Sequence, residues 1–218
     1  MRIQHFALIA AILIATAPPA GAASGKLGVQ VGSISNSLTG ELPAGGSWQG
    51  RSALGTGLVA ELDLAVDIAI SLQPTFTPRY SSQVFKKDGK IEHTVDYDLD
   101  YLSVPLLVRV TGDPLGVRGF VTAGLDLGIL LDASVSEENE TTDITDEFNT
   151  TSIGALFGAG VMVPVGRQFL TFELRYVQGL SDIVARDDVD TDPVFAAPSV
   201  KYRGLEFLVG FLFTLGGE

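Results

Sequence analysis

Three groups of residues in this chain carry chemistry by type and spacing. In "HTVDYDLD" His93 stands close to Asp96 and Asp98, and a histidine oriented by a carboxylate is the usual base that activates a hydroxyl or a water. The run "DDVDTD" sets Asp188, Asp190 and Asp192 at the alternate positions that open a calcium loop. Pro193 stands where that loop requires Gly and Ser199 where it closes on Glu, so no EF-hand is formed. The third group is dispersed: Glu61, Arg109, Asp126, Glu173, Arg175 and Glu206 each lie inside a mostly apolar segment. A charge there needs a partner or water, and these six read as one interior polar network. The lone mature histidine beside acids reads as a solvated loop. No catalytic residue, metal ligand or cofactor is assigned, and with no cysteine, disulfides and thiolate metal sites are unavailable.

The segments holding the network alternate with period two. In "TFELRYVQGL" Phe172, Leu174 and Tyr176 point one way and Thr171, Glu173 and Arg175 the other. "GTGLVAELDL" sets Leu58, Ala60, Leu62 and Leu64 against Gly57, Val59, Glu61 and Asp63. "DIAISLQPTFTPRY" sets Ile68, Ile70, Leu72 and Phe76 against Ser71, Gln73, Thr75 and Arg79. The same holds for "FVTAGLDLGILLD", "SIGALFGAGVMV" and "YRGLEFLVGFLFTL", whose second faces are rich in Gly and carry Asp126 and Glu206. In "DYDLDYLSVPLLVRV" the apolar positions shift from Tyr97, Leu99 and Tyr101 to Leu102, Val104 and Leu106, which predicts a β-bulge near Tyr101. Pro105 lacks a ladder donor, so a pairing defect is expected there.

The 26 acidic against 14 basic residues exclude a nucleic-acid partner, because no basic stripe exists to meet phosphates. Arg2, the apolar run "FALIAAILIATA" and Ala20-Gly21-Ala22 predict a cleaved secretory signal over residues 1–22. The run is shorter than the roughly 20 residues of a spanning helix. Residues 23–218 form the second unit.

Eight strands are counted, beginning with "KLGVQVGSIS", and their connections alternate in length. Short ones lie near Ala65-Val66, at "TGDPLG" and at "VGRQ"; long ones are "SLTGELPAGGSWQG", "SSQVFKKDGKIEH", "SVSEENETTDITDEFNT" and "DIVARDDVDTDPVFAAPS". This predicts an all-β fold, an eight-stranded antiparallel up-and-down transmembrane β-barrel of the bacterial outer membrane. Its three short turns would be periplasmic and its four long loops extracellular. A lipid-facing Arg costs about 2 to 4 kcal/mol at the midplane, so Arg109 and Arg175 point inward. Phe76, Tyr80, Tyr97 and Tyr176 are expected at the loop-side membrane interface and Phe213 at the turn-side one. Counting from the turns sets Arg175 opposite Glu206, with Gly158 and Gly160 beside Arg175 and Glu173. Asp126 lies at a similar height and Glu61 with Arg109 nearer the periplasm. The seven acidic residues between Asp132 and Glu147 predict a disordered loop. A soluble lipocalin-type barrel would instead need its apolar set inside.

Two stretches, "YLSVPLL" (Tyr101 to Leu107) and "RYVQGL" (Arg175 to Leu180), resemble the small outer-membrane β-barrel family often labelled PorT-like, over nearly the whole mature chain. The resemblance implies an eight-stranded barrel in a diderm outer membrane. Ser103 stands where relatives commonly have Glu, and the chain ends "FTLGGE" instead of at an aromatic residue. The function expected is non-enzymatic, structural or in surface contact; a narrow channel and a lipid-modifying enzyme are the alternatives. Outer-membrane lipids and the barrel-assembly machinery are the expected partners.

Overall fold

The computed structural model describes residues 24–40, 42, 46–87, 90–112, 116–137, 140–185 and 199–215. The expected signal and the "DDVDTD" run lie outside them. The period-two segments become strands β1 (Gly25–Thr39), β2 (Gly46–Asp63), β3 (Ile68–Leu72), β4 (Thr75–Lys87), β5 (Lys90–Thr111), β6 (Arg118–Glu137), β7 (Glu140–Asp143), β8 (Thr151–Val165), β9 (Gln168–Gly179) and β10 (Lys201–Leu215). All pairings are antiparallel. β3 and β4 are two pieces of one wall position, split at Gln73-Pro74, and β7 folds back on the end of β6. The remaining order β1, β2, β3/β4, β5, β6, β8, β9, β10 is a ring of eight. It closes where β1 pairs β10 from Gly25↔Leu215 to Thr39↔Lys201, so neither terminal strand keeps an open edge.

The break between β3 and β4 lies across from Pro105. Pairing to β5 stops at Leu72↔Leu106 and resumes at Thr75↔Ser103, and the Gln73 amide donates to the Pro105 carbonyl at 3.0 Å. The turn between β8 and β9 is only Gly166-Arg167, and Gly166 has φ 64°, a left-handed conformation that a Cβ would strain.

Alternation sorts the wall. Leu125, Phe157, Leu174 and Phe207 point outward and are half or more exposed, while Asp126, Glu173, Arg175 and Glu206 on neighbouring positions are buried inside. Three expectations need correction. First, the expected irregularity does fall at Asp100/Tyr101, but β5 itself keeps one phase throughout: Tyr97, Leu99 and Tyr101 are buried inside with Ser103, Leu107 and Arg109. The extra residue is Leu131 of the facing strand β6, where Asp100↔Asp132 is followed by Tyr101↔Leu130. Tyr97 is therefore no interface aromatic; it packs edge-on against Trp48 in the lumen. Second, much of the first two expected long loops is strand, since β1 and β2 run to Thr39 and from Gly46, and β4 and β5 to Lys87 and from Lys90. Their polar residues alternate too, and a wall leaving the membrane keeps its ladder. Third, the described part of the acidic segment, to residue 137 and from 140, is ordered by apolar residues between its charges. β7 pairs β6, a 3-10 turn follows at Thr145–Glu147, and Ile144 and Phe148 are buried.

Candidate functional site

The lumen is layered. At the turn side Val59, Phe120, Met162 and Leu212 form a small apolar floor. At the loop side a larger apolar roof includes Leu38, Tyr97, Leu99, Leu156, Val177, Ile183 and Val200, with Ile144 and Phe148 from the segment after β7 folded over it. The Asn149 amide donates to the Ile183 carbonyl at 2.8 Å and Phe148 bridges Val184, tying that segment to the one after β9.

Between floor and roof lie the charges. Arg175 on β9 is opposite Glu206 on β10 in register, with guanidinium and carboxylate 3.6 Å apart. Its Nη2 donates to Glu173 Oε2 at 3.0 Å and to Gln73 Oε1 at 2.7 Å. Glu173 also accepts from Thr122 Oγ1 at 2.7 Å and lies 3.8 Å from Arg109. Arg109 makes an ionic contact with Glu61 without an aligned hydrogen bond, and its guanidinium sits 4.2 Å above the Phe120 ring. Gly158 and Gly160 pair with Arg175 and Glu173; a Cβ on Gly158 would lie 2.5 Å from both Glu173 Oε1 and Thr122 Oγ1. The absent side chain is the space the carboxylate occupies.

Asp126 does not join Arg175 directly. It pairs with Arg79, a residue the expected network leaves out: Arg79 Nη2 donates to Asp126 Oδ2 at 2.7 Å and to Ser103 Oγ at 3.1 Å, and Nη1 to Ser152 Oγ at 3.0 Å. The guanidinium lies 3.7 Å from the Tyr202 ring centroid and 4.2 Å from that of Tyr101, and the Tyr202 hydroxyl donates to Asp126 at 3.3 Å. Arg79 sits on the wet face of its own strand pattern, so alternation alone could have found it. Tyr202 is one step beyond Gly204 on the wet face of β10. Ser103 is a hydroxyl partner of this arginine.

At the turn-side mouth Lys26 reaches Asp63 at 2.5 Å and Glu61 at 3.8 Å. Buried Arg79, Arg109 and Arg175 face buried Glu61, Asp126, Glu173 and Glu206, three basic against four acidic groups, and Lys26 at the mouth stands between Glu61 and Asp63. His93 lies near the loop-side start of β5, four residues before Tyr97, and is half-buried. Its Nε2 is 2.8 Å from Glu137, while Asp96 accepts from Ser82 and Asp98 from Arg51, both at 2.5 Å.

A closed antiparallel ring with aliphatic side chains outside and paired charges inside is an outer-membrane β-barrel inverted relative to a soluble one. The chain belongs to the family described as outer membrane protein beta-barrel domain, whose model matches residues 22–185. Its fold is similar to Neisserial surface protein A, at 18% identity over 88% of this chain and 99% of that one with a TM-score of 0.52. It is also similar to the outer membrane protein OprG from Pseudomonas aeruginosa, at 12% identity over 90% and 97% with a TM-score of 0.53. No protein of curated function matches by sequence. The protein resides in the bacterial outer membrane. Among the described residues no helix is long and apolar enough to cross a membrane.

Proposed function

We propose that the protein is a structural, non-enzymatic barrel of the outer membrane, closed to solute flow. Its eight wall positions cross the bilayer once each, with the three short turns in the periplasm and the other ends toward the medium. The observation that carries the reading is the layering of the lumen. Arg175, 2% exposed, is held by Glu173, Gln73 and Glu206 between an apolar floor and an apolar roof. An eight-stranded barrel is only wide enough for side chains to fill it. The cleaved signal of residues 1–22 and delivery by the barrel-assembly machinery belong to the same reading. Within the family, "YLSVPLL" and "RYVQGL" favour the PorT-like branch. The lipid-modifying alternative would rest on His93 and Glu137, 2.8 Å apart, and not on His93 with Asp96 or Asp98. Planar-bilayer recording tests the proposal: no steady conductance is expected, and discrete single-channel steps would replace it with the channel reading.

A further inference from the structure

We propose that the outer wall of β9, β10 and β1 carries a binding site for the phosphate of an anionic membrane lipid, built on Lys201 and Arg203. The inference rests on the reading above that the loop-side ends of the strands face the medium.

The apolar face of β10 runs outward through Phe207 and Leu205 and then changes in one step to Arg203 and in the next to Lys201; Tyr202 between them points into the lumen. Leu205 pairs with Tyr176, an aromatic of the loop-side interface, so Arg203 stands two residues, about 7 Å, beyond that boundary, at the depth of lipid headgroups. Arg203 is exposed and Lys201 half-buried. Among the described residues neither has a carboxylate partner, in a chain whose net charge is -12. Hydroxyls flank them. On β1 the outward row passes from Val31 to Ser33, Ser35 and Ser37, with Ser37 opposite Arg203 and Ser35 opposite Leu205 and Ser52.

The far side of the ring is the converse. β5 is four wall positions from β10 in either direction, and its first outward residues above Leu102 are Asp100, Asp98 and Asp96, with Arg51 bound to Asp98. At the loop-side boundary the barrel is thus cationic on one flank and anionic on the opposite one. A guanidinium meets phosphate with two parallel hydrogen bonds, an ammonium adds a point charge and the Ser35 hydroxyl donates to a remaining oxygen, that of Ser37 being given to the Leu38 carbonyl at 3.1 Å. A phosphorylated lipid of the outer leaflet, its chains along Leu205 and Phe207, fits this flank and is repelled from the other.

The test uses the full barrel in nanodiscs of phosphatidylcholine doped with bisphosphorylated lipid A or with its dephosphorylated form, with retained lipid counted by native mass spectrometry. Wild type is expected to keep the phosphorylated form in preference, and K201Q/R203Q to lose that preference by roughly thirtyfold, as two surface cations of ordinary strength imply. Equal retention by wild type and variant overturns the proposal. So does retention that appears only when the four aspartates between 187 and 192 are neutralised, which would mean that the chain's own loop covers the cations. Sidedness is read separately from labelling of Lys86→Cys by an impermeant maleimide on intact cells. Labelling without lipid preference rejects the lipid site alone, and labelling only after lysis rejects both readings.

Discussion

Arg79 and Asp126 meet at 2.7 Å deep in the lumen, and the arginine plane is clasped between the rings of Tyr101 and Tyr202. Removing one member of such a pair leaves an uncompensated buried charge, which costs about 3 to 5 kcal/mol. Arg79→Ala should therefore lower the urea midpoint of the detergent-refolded barrel strongly, whereas Arg79→Met with Asp126→Asn should recover part of the loss. Equal midpoints for the single and double variants would reject the pairing as the cause.

Arg175 has carboxylates on two sides and the amide oxygen of Gln73 on a third. Arg175→Ala is expected to destabilise by about the same 3 to 5 kcal/mol, against roughly zero for exposed Lys86→Ala. The pair of variants, compared by denaturant unfolding, separates a lumen effect from a general loss of charge.

Gly158→Ala is expected to cost about 1 to 3 kcal/mol, because the new methyl group enters the space of the Glu173 carboxylate. Gly119→Ala is the matched control: a Cβ there meets nothing within 4 Å. Heat-modifiable migration on gels reads both, and the first variant should unfold at the lower temperature.

Phe148 closes the roof from a segment full of acids. Phe148→Ala should cost about 3 to 5 kcal/mol and raise amide exchange at Ile144 and Asn149, whose amides donate to the Ala133 and Ile183 carbonyls. If exchange at these amides is already as fast as in an unfolded peptide in the wild type, the roof is not closed by this segment.

A tag inserted at Asn139 should be detected on intact cells, as the sidedness proposed above requires. Detection only after breakage would invert the topology.

The strands were legible because lipid lies on one side of the wall and paired charges on the other, so nearly every side chain states its face. Register was legible where a two-residue turn anchors it: counting from Gly166-Arg167 sets Gly158 beside Arg175. Less visible was that the lumen must be filled as well as charged. Leu156, Met162, Leu208 and Leu212 are inward apolar residues on strands whose inner faces were read from Gly, Glu and Asp. Tyr97 and Tyr101 were ambiguous for a related reason, since an aromatic near the end of a strand suits a membrane interface and a crowded lumen equally. Order in the acidic segment hinges on Ile144 and Phe148, two apolar residues in a composition dominated by charge.

The layered lumen also bears on how the chain reaches its final state. Gln73 and Arg175 are 102 residues apart in the chain, Asp126 and Tyr202 are 76 apart, and Glu61 and Arg109, which meet each other, come from two further walls, β2 and β5. None of these contacts exists in an isolated hairpin, so local hairpins gain no stability from them, and high contact order makes the final step slow. Until β10 reaches β1, three arginines remain hydrated on a surface that must turn inward. Seam closure and expulsion of that water then become one cooperative event, and an assembly intermediate stalled before it would hold an open, wet groove where the finished barrel is sealed.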